Sequence, residues 1–499
     1  MKILFASPEI VPFAKTGGLA DVSGALPKAL EKLGEDVTVI MPKYRTVDDK
    51  KFGLEYTGKN IQVPISNRIE EAKIYKGYIN SGARGKGQGA SKDIPIYFID
   101  KKEYYDRQYL YGTPQGDYPD NAERFIYFDR AILETCKTIG LKPDIIHCND
   151  WQTGMVPVYL KTLYKDDLFF KDTSTLFTVH NLGYQGLFWH LDMHLTNLGW
   201  DIFSPDGIEF YGKMNILKGG LVYSDAITTV SKTYSQEIQT KEYGCGLDGV
   251  LRKRKDDLYG VINGIDYEEW NPATDKYLSA KYLKENLSGK WDCKKDLLNI
   301  YGLKASKEVP VLSVISRLAD QKGFDLIAEI MDDLMKLDVQ FILLGTGEDK
   351  YHKLFEDIGK KYPSKAGIKI GFDNALSHKI EAGADMFLMS SRYEPCGLNQ
   401  LYSLKYGTIP IVRGTGGLND TIENYNPVRR NGNGFKFTEY SSMTLLSTIK
   451  TALDLYRDKS EWNRLMINAM GEDFSWNHSA KEYVELYRKV INKRIKNKF

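Results

Sequence analysis

Short apolar runs that end in polar, glycine-bearing loops recur along this chain, and that alternation leaves few folds open. Residues 2–6, 36–40, 144–148, 175–179 and 226–230 are strand-length runs of this kind in the first half. Residues 309–315, 339–344, 368–370, 386–389 and 409–412 repeat the pattern in the second. The first run leads into Lys15-Thr16-Gly17-Gly18 and then a helix-patterned segment over residues 22–33, stopped by Gly34 before the next strand. A strand–helix–strand unit of this type builds a parallel sheet. In open α/β sheets ligands bind beyond the carboxyl ends of the strands, so the recurrent loops mark one rim as functional.

Two of those loops carry the same phrase. Thr16-Gly17-Gly18-Leu19-Ala20-Asp21 and Thr415-Gly416-Gly417-Leu418-Asn419-Asp420 agree at five of six positions, each between a strand pattern and a helix pattern. This reads as two similar halves, each offering a Gly-rich loop to a shared cleft; two unrelated strand-to-helix turns are the alternative. A length of 499 residues exceeds one ordinary core. The alternation lapses over residues 266–304, so the expected division is 1–265 and 266–478. The last helix, residues 479–491, and its basic tail (Lys493, Arg494, Lys496, Lys498) are expected to pack back on the first domain.

Bulk composition excludes several classes. Charged residues make up 27% of the chain but balance to +2, which argues against nucleic-acid binding by bulk charge. No apolar run is long enough to cross a membrane, and residues 3–6 are too short for a signal-peptide core, so a cytoplasmic protein is expected. The five cysteines are scattered without a Cys-x-x-Cys pair, as suits free thiols in a reducing compartment. The Gly-x-Gly-x-Gly of residues 85–89 has no helix after it and reads as a hairpin tip. His190 and His194 stand four apart but lack an adjacent Glu, so zinc is not proposed.

The residues with chemical capacity lie on the loops. Glu394-Pro395-Cys396-Gly397-Leu398 sets a carboxylate on a Pro/Gly turn after a strand, and Cys396 reads as packing rather than as a nucleophile. Gly416 and Gly417 would let backbone amides approach an anion at a helix start. Arg317 and Lys322, two cations just after a strand and before a helix, suit a diphosphate. Lys15 would reach the same anion from the other half. Without an Asp-x-Asp pair, neutralisation by Lys and Arg rather than by a metal ion is the consistent picture. His180 ends a strand on the functional rim, where it can meet a sugar hydroxyl.

Together these motifs resemble the bacterial glycogen synthases and plant starch synthases. The resemblance is carried by Lys15-Thr16-Gly17-Gly18-Leu19-Ala20-Asp21-Val22, His180-Asn181-Leu182-Gly183-Tyr184-Gln185-Gly186, Arg317 with Lys322, Glu394-Pro395-Cys396-Gly397-Leu398 and Thr415-Gly416-Gly417. It implies two Rossmann-like domains facing a cleft, the GT-B arrangement of glycosyltransferases, closing on the donor. It also implies retaining transfer of glucose from ADP-glucose to the non-reducing end of an α-1,4-glucan or maltooligosaccharide, with no cofactor and no metal. By the same resemblance Glu394, Arg317, Lys322 and His180 are the catalytic set. Lys15, Gly17, Gly18, Asp21, Asn263, Phe372, Cys396, Gly397, Leu398, Thr415, Gly416 and Gly417 would bind the donor; Asp150, Trp151 and Tyr184 would bind the acceptor. Phe372 would stack on adenine without a phenolic hydroxyl. Tyr402 stands where a second Glu occurs in the broader transferase group. UDP-glucose as donor, a phosphorylase and a non-catalytic glucan-binding protein remain the alternatives.

Overall fold

The computed structural model describes residues 1–79 and 93–496, so the run at 85–89 and Lys498 lie outside the described residues. The chain divides into two compact units: Met1–Val230 with Ser235–Gly264 and Trp476–Phe499, and Ser231–Tyr234 with Ile265–Ser475.

The first unit carries β1 (Lys2–Ala6), β2 (Asp36–Pro42), β3 (Glu55–Ile65), β4 (Arg68–Ile79), β5 (Ile94–Asp100), the two-residue pair β6 (Gly112–Thr113) and β7 (Gly116–Asp117), β8 (Ile145–Asn149) and β9 (Ser174–Val179). It continues with the small strands β10 (Leu187–Trp189), β11 (Glu209–Phe210) and β12 (Lys213–Asn215), then β13 (Ala226–Thr229) and β14 (Leu258–Gly260). The main sheet runs β14-β13-β9-β8-β1-β2-β5-β4-β3. It is parallel from β14 to β5, and β4 and β3 extend it antiparallel. The central strands are apolar on both faces because helices cover both: Ile3, Leu4, Phe5, Ile145, Ile146 and Phe177 are all buried.

The first helix spans Gly18–Lys32 and so begins at the second glycine of its loop, four residues before the segment its apolar pattern marks. Gly17, extended at φ −151°, is its N-cap. The final helix, Trp476–Lys496, packs on this helix and on β9. Its Tyr487 hydroxyl lies 2.7 Å from Nδ1 of the buried His147 in β8, whose Nε2 is 2.6 Å from Thr178 Oγ1. Burial pushes that imidazole down to about 3, so it is a neutral fixture of the core.

The second unit holds β15 (Val311–Leu318), β16 (Gln340–Gly347), β17 (Ala366–Ile370), β18 (Met386–Met389), β19 (Ile409–Arg413) and β20 (Phe435–Phe437). They form a fully parallel sheet ordered β17-β16-β15-β18-β19-β20. Counted within the unit this is the Rossmann order 3-2-1-4-5-6, whose strand direction of travel reverses between its first and fourth strands. Among the described residues no helix is long and apolar enough to cross a membrane, and no group of three or more His, Cys, Asp or Glu could hold a metal ion. His194 Nδ1 instead lies 2.6 Å from the Leu191 carbonyl.

Candidate active site

Each sheet has one point where successive crossovers leave in opposite directions, and a crevice opens there at the carboxyl ends. In the second unit that point lies between β15 and β18. Arg317 sits near the end of β15 itself, exposed, with Nη2 3.5 Å from Gln321 Oε1. Gln321 in turn donates from Nε2 to the Tyr393 carbonyl and accepts at its own carbonyl from Arg392 N–H, so one residue ties the cation loop to the loop after β18. Lys322 follows on a short 3-10 turn and donates Nζ to Glu394 Oε2 at 2.6 Å; Ser391 Oγ donates to the same oxygen at 2.9 Å. Glu394 is 6% exposed, so the carboxylate is held beneath the rim by a cation and a hydroxyl.

Glycines allow this packing at two places. Gly323 adopts φ +70°, and a Cβ there would stand 2.1 Å from the Ser390 carbonyl oxygen. A Cβ at Gly416 (φ +45°) would lie 2.0 Å from the Glu394 carbonyl oxygen, and one at Gly417 would lie 2.1 Å from that of Cys396. The pair therefore lets the loop after β19 pass directly under the Glu394 turn. Its amides depart from the sequence expectation. Gly417 N–H donates to the Glu394 and Pro395 carbonyls, and Thr415 N–H to the Arg413 carbonyl, so these groups are engaged by protein rather than turned outward to an anion. Cys396 is buried in the same junction, and Gln400 Nε2 donates to the Cys396 and Gly397 carbonyls at 3.0 Å, with Leu398 leading into the helix Asn399–Tyr406.

Phe372 follows β17 and Gly371 and is 82% exposed. Its strand lies two sheet spacings, about 10 Å, from β15. Tyr402 stacks on Trp270 (centroids 3.9 Å apart), which stacks on His378 at 3.8 Å. His378 Nδ1 is 2.7 Å from Asp275 Oδ2, which also accepts from Tyr406 OH. This stack, buried at His378 and partly buried at Trp270 and Tyr402, fills the region around the position where the broader group carries a second Glu.

In the first unit the corresponding point lies between β1 and β8. After β1, Lys15 Nζ pairs with Asp21 Oδ1 at 2.7 Å on an exposed face, and burial raises the Asp21 carboxyl while Lys15 opposes that shift. Gly17 would meet nothing within 4 Å if it carried a Cβ, so open space lies beside the loop. After β8 comes Asp150, at φ 57° and ψ −179°, a backbone region essentially reserved for glycine. Its Oδ1 accepts from His180 N–H at 2.7 Å, and burial pushes its carboxyl up to about 7.

His180 follows β9, and burial pushes its imidazole down to about 3. Asn149 Nδ2 donates to the Ala6 carbonyl, so Asn149 Oδ1 faces His180 Nε2 at 2.9 Å and accepts a hydrogen bond from its N–H. The ring is neutral, with Nδ1 the nitrogen left able to accept from a hydroxyl. Asn263, after β14, is buried, and its Oδ1 has no hydrogen-bond partner among the described residues. Tyr184 is 53% exposed, whereas Trp151 is 9% exposed: it packs edge-on to Phe125, touches Phe188, and lies directly under Gly186. The indole is thus a floor beneath the loop after β9 rather than an open stacking platform. Glu9, a buried carboxylate before the Lys15 loop, escaped the sequence reading; the signal was an acid flanked by Pro8 and Ile10 in an otherwise apolar stretch.

Two family models match the chain: the starch synthase catalytic domain over residues 2–253, and glycosyl transferases group 1 over residues 301–466. The glycogen synthase of Koribacter versatilis is 50% identical over 490 residues, covering 98% of each chain. That of Thermosipho africanus is 49% identical, covering 99% of this chain and all of the other. The catalytic domain of starch synthase IV from Arabidopsis thaliana, solved with ADP and acarbose, superimposes with a TM-score of 0.89 at 34% identity, covering 98% of this chain and 99% of that one. The resemblance read from the motifs thus extends over nearly the whole length, on the two-domain α/β fold of GT-B type. The chain belongs to the family of the starch synthase catalytic domain, that of the glycogen and starch synthases.

Proposed function

We propose that this chain is a glucosyltransferase that moves glucose from ADP-glucose to the non-reducing end of an α-1,4-glucan, with retention of configuration and release of ADP. The observation that carries the reading is the Lys322–Glu394 pair at the β15/β18 crevice, with Arg317 on the same rim. A diphosphate arriving there offers Lys322 a stronger partner than one carboxylate, and Arg317 can fork two of its oxygens. Phe372 presents a free ring face at a distance suited to the base, while Asn263 Oδ1 and His180 Nδ1 are acceptors for glucose hydroxyls.

In the transfer the bond from glucose C1 to the phosphate oxygen breaks and a bond from C1 to the acceptor O4 forms on the same face. The proton of the 4-hydroxyl passes to the departing phosphate oxygen. Neutral His180 accepts a sugar hydroxyl without adding a positive charge beside the oxocarbenium-like carbon. Glu394, freed of Lys322 when that cation turns to the phosphate, brings a negative charge to the sugar's side. Stabilisation of the leaving diphosphate is then the main protein contribution, worth about 10²–10³ in rate per aligned donor. Asp150, Trp151 and Tyr184 are assigned to the acceptor, Trp151 through support of the loop rather than direct stacking.

The test is parallel incubation with ADP-glucose and UDP-glucose and a maltooligosaccharide, following nucleotide release and acceptor lengthening. Lengthening that depends on ADP-glucose supports the reading. Faster transfer from UDP-glucose would overturn the donor assignment, and nucleotide release without lengthening would overturn the acceptor.

A further inference from the structure

Glu9 lies in the loop after β1, seven residues before Thr16, and is 4% exposed. The hydrogen-bond partners of its carboxylate are all donors, and its charge helps to raise the nearby Asp150 carboxyl. Oε2 accepts from the Thr16 amide at 2.5 Å and the Gly17 amide at 3.2 Å. Oε1 accepts from Thr16 Oγ1 at 2.5 Å and from Tyr111 OH at 2.7 Å. Among the described residues none of the ion pairs includes Glu9; its charge is balanced by hydrogen-bond donors. Its own backbone is fixed as well: Ser7 Oγ donates to the Glu9 carbonyl at 2.9 Å and sits 2.9 Å from Ser23 Oγ in the helix Gly18–Lys32. Tyr111 is held from its far side, where Asn121 Nδ2 and Tyr118 N–H donate to its carbonyl.

This arrangement settles which way the loop faces. With the Thr16 and Gly17 amides turned inward to one carboxylate, the outward side of the loop consists of the Lys15 side chain, the open space at Gly17, and the start of the helix. A residue that folds the loop this way determines where Lys15 stands without touching a ligand itself.

We propose that Glu9 is a positioning residue for the sugar-nucleotide donor, holding residues 15–18 in the form that presents Lys15 and Gly17 outward. The inference rests on the reading of that loop as a donor contact. It concerns the donor first, because all four hydrogen-bond partners of Glu9 lie in the Lys15 loop or in the Tyr111 brace behind it, whereas the acceptor side is reached only through the charge of Glu9, which helps to raise the Asp150 carboxyl. Removal of the carboxylate leaves the two inward-turned, part-buried amides of Thr16 and Gly17 without acceptors, and the loop relaxes to hydrate them. Gln is the conservative replacement: its oxygen can take both amides, while its nitrogen donates to the two hydroxyls, each of which can rotate to accept.

The test is steady-state kinetics of Glu9→Ala, Glu9→Gln, Thr16→Val and Lys15→Ala, varying ADP-glucose at saturating maltooligosaccharide and then the reverse, with thermal unfolding as a control. Glu9→Ala should raise the donor KM at least about tenfold and move the acceptor KM severalfold less. Glu9→Gln should restore most of that loss, and Glu9→Ala/Lys15→Ala should be no worse than Lys15→Ala alone. Should Glu9→Ala not fold, Thr16→Val, which keeps both amide contacts, should still raise the donor KM severalfold. A donor KM unmoved by Glu9→Ala or by Thr16→Val while Lys15→Ala raises it would overturn the Glu9 assignment and leave the loop reading standing. A donor KM unmoved by Lys15→Ala as well would overturn both.

Discussion

Removal of Lys322 separates the two jobs assigned to it. The Lys322–Glu394 contact is 2.6 Å long, with side chains 20% and 8% exposed. At an effective dielectric of about 20 the gross attraction is roughly 6 kcal/mol, most of it offset by desolvation of both ions. Taking away one partner strands the other, which typically costs about 3–5 kcal/mol. Because one-fifth of Lys322 reaches solvent, Lys322→Ala belongs at the lower end, about 3 kcal/mol. For a domain of this size that is roughly 6–12 °C in the unfolding temperature. Glu394→Gln should cost only about 1 kcal/mol, since the amide still accepts from Ser391 and Lys322 can swing toward water. Adding Glu394→Gln to Lys322→Ala should then recover most of the lost stability, because a neutral amide needs no cation. Turnover should not recover: each single variant and the double variant should lose about 10²–10³ in kcat. Differential scanning calorimetry and a coupled ADP-release assay on the four proteins check this. Lys322→Ala unfolding with the parent protein, or no rescue in the double variant, would mean that Lys322 does not neutralise Glu394 in the folded protein.

Phe372→Ala should raise the donor KM about tenfold with the unfolding temperature unchanged, because the ring is 82% exposed and supports no core; steady-state kinetics with ADP-glucose varied measures it. Asp150 titrates at about 7 when folded and about 4 when unfolded, so between those values the folded chain binds the extra proton and stability falls as pH rises. Asp150→Asn should remove that fall, becoming more stable than the parent by roughly a few kcal/mol above pH ~7 and not below pH ~4, as read from unfolding temperature against pH. Gly417→Ala should lower unfolding temperature and turnover together, since its Cβ would meet the Cys396 carbonyl oxygen at 2.1 Å and the backbone under Glu394 must move.

The sequence made the strand–loop–helix rhythm readable because parallel strands covered on both faces are apolar throughout, and residues 386–389 match β18 without adjustment. Less readable were features set by packing across the sheet. The antiparallel addition of β4 and β3 follows from pairing order, which apolar runs do not encode. The helix after β1 starts at Gly18 because the loop before it is pinned, although its apolar face begins later. Arg317, expected after its strand, lies within it, because β15 continues paired with β16 through Leu318. Motifs located Lys322 and Glu394 but not the ion pair between them. They suggested phosphate-facing amides at Thr415, Gly416 and Gly417, whereas those of Thr415 and Gly417 are taken up within the protein, Gly417 by the Glu394 turn. An acid between Pro8 and Ile10 marked Glu9 as unusual, but its role was not legible because its four donors are assembled only in the folded chain.

The most direct measurement is proton NMR of the reaction of ADP-glucose with a maltooligosaccharide, recorded from the first turnovers. One ADP should be released for each new α-1,4-linked glucosyl unit at the non-reducing end, with both signals lost in Arg317→Ala. A β-linked product, free glucose in place of chain extension, or undiminished transfer by Arg317→Ala would contradict it.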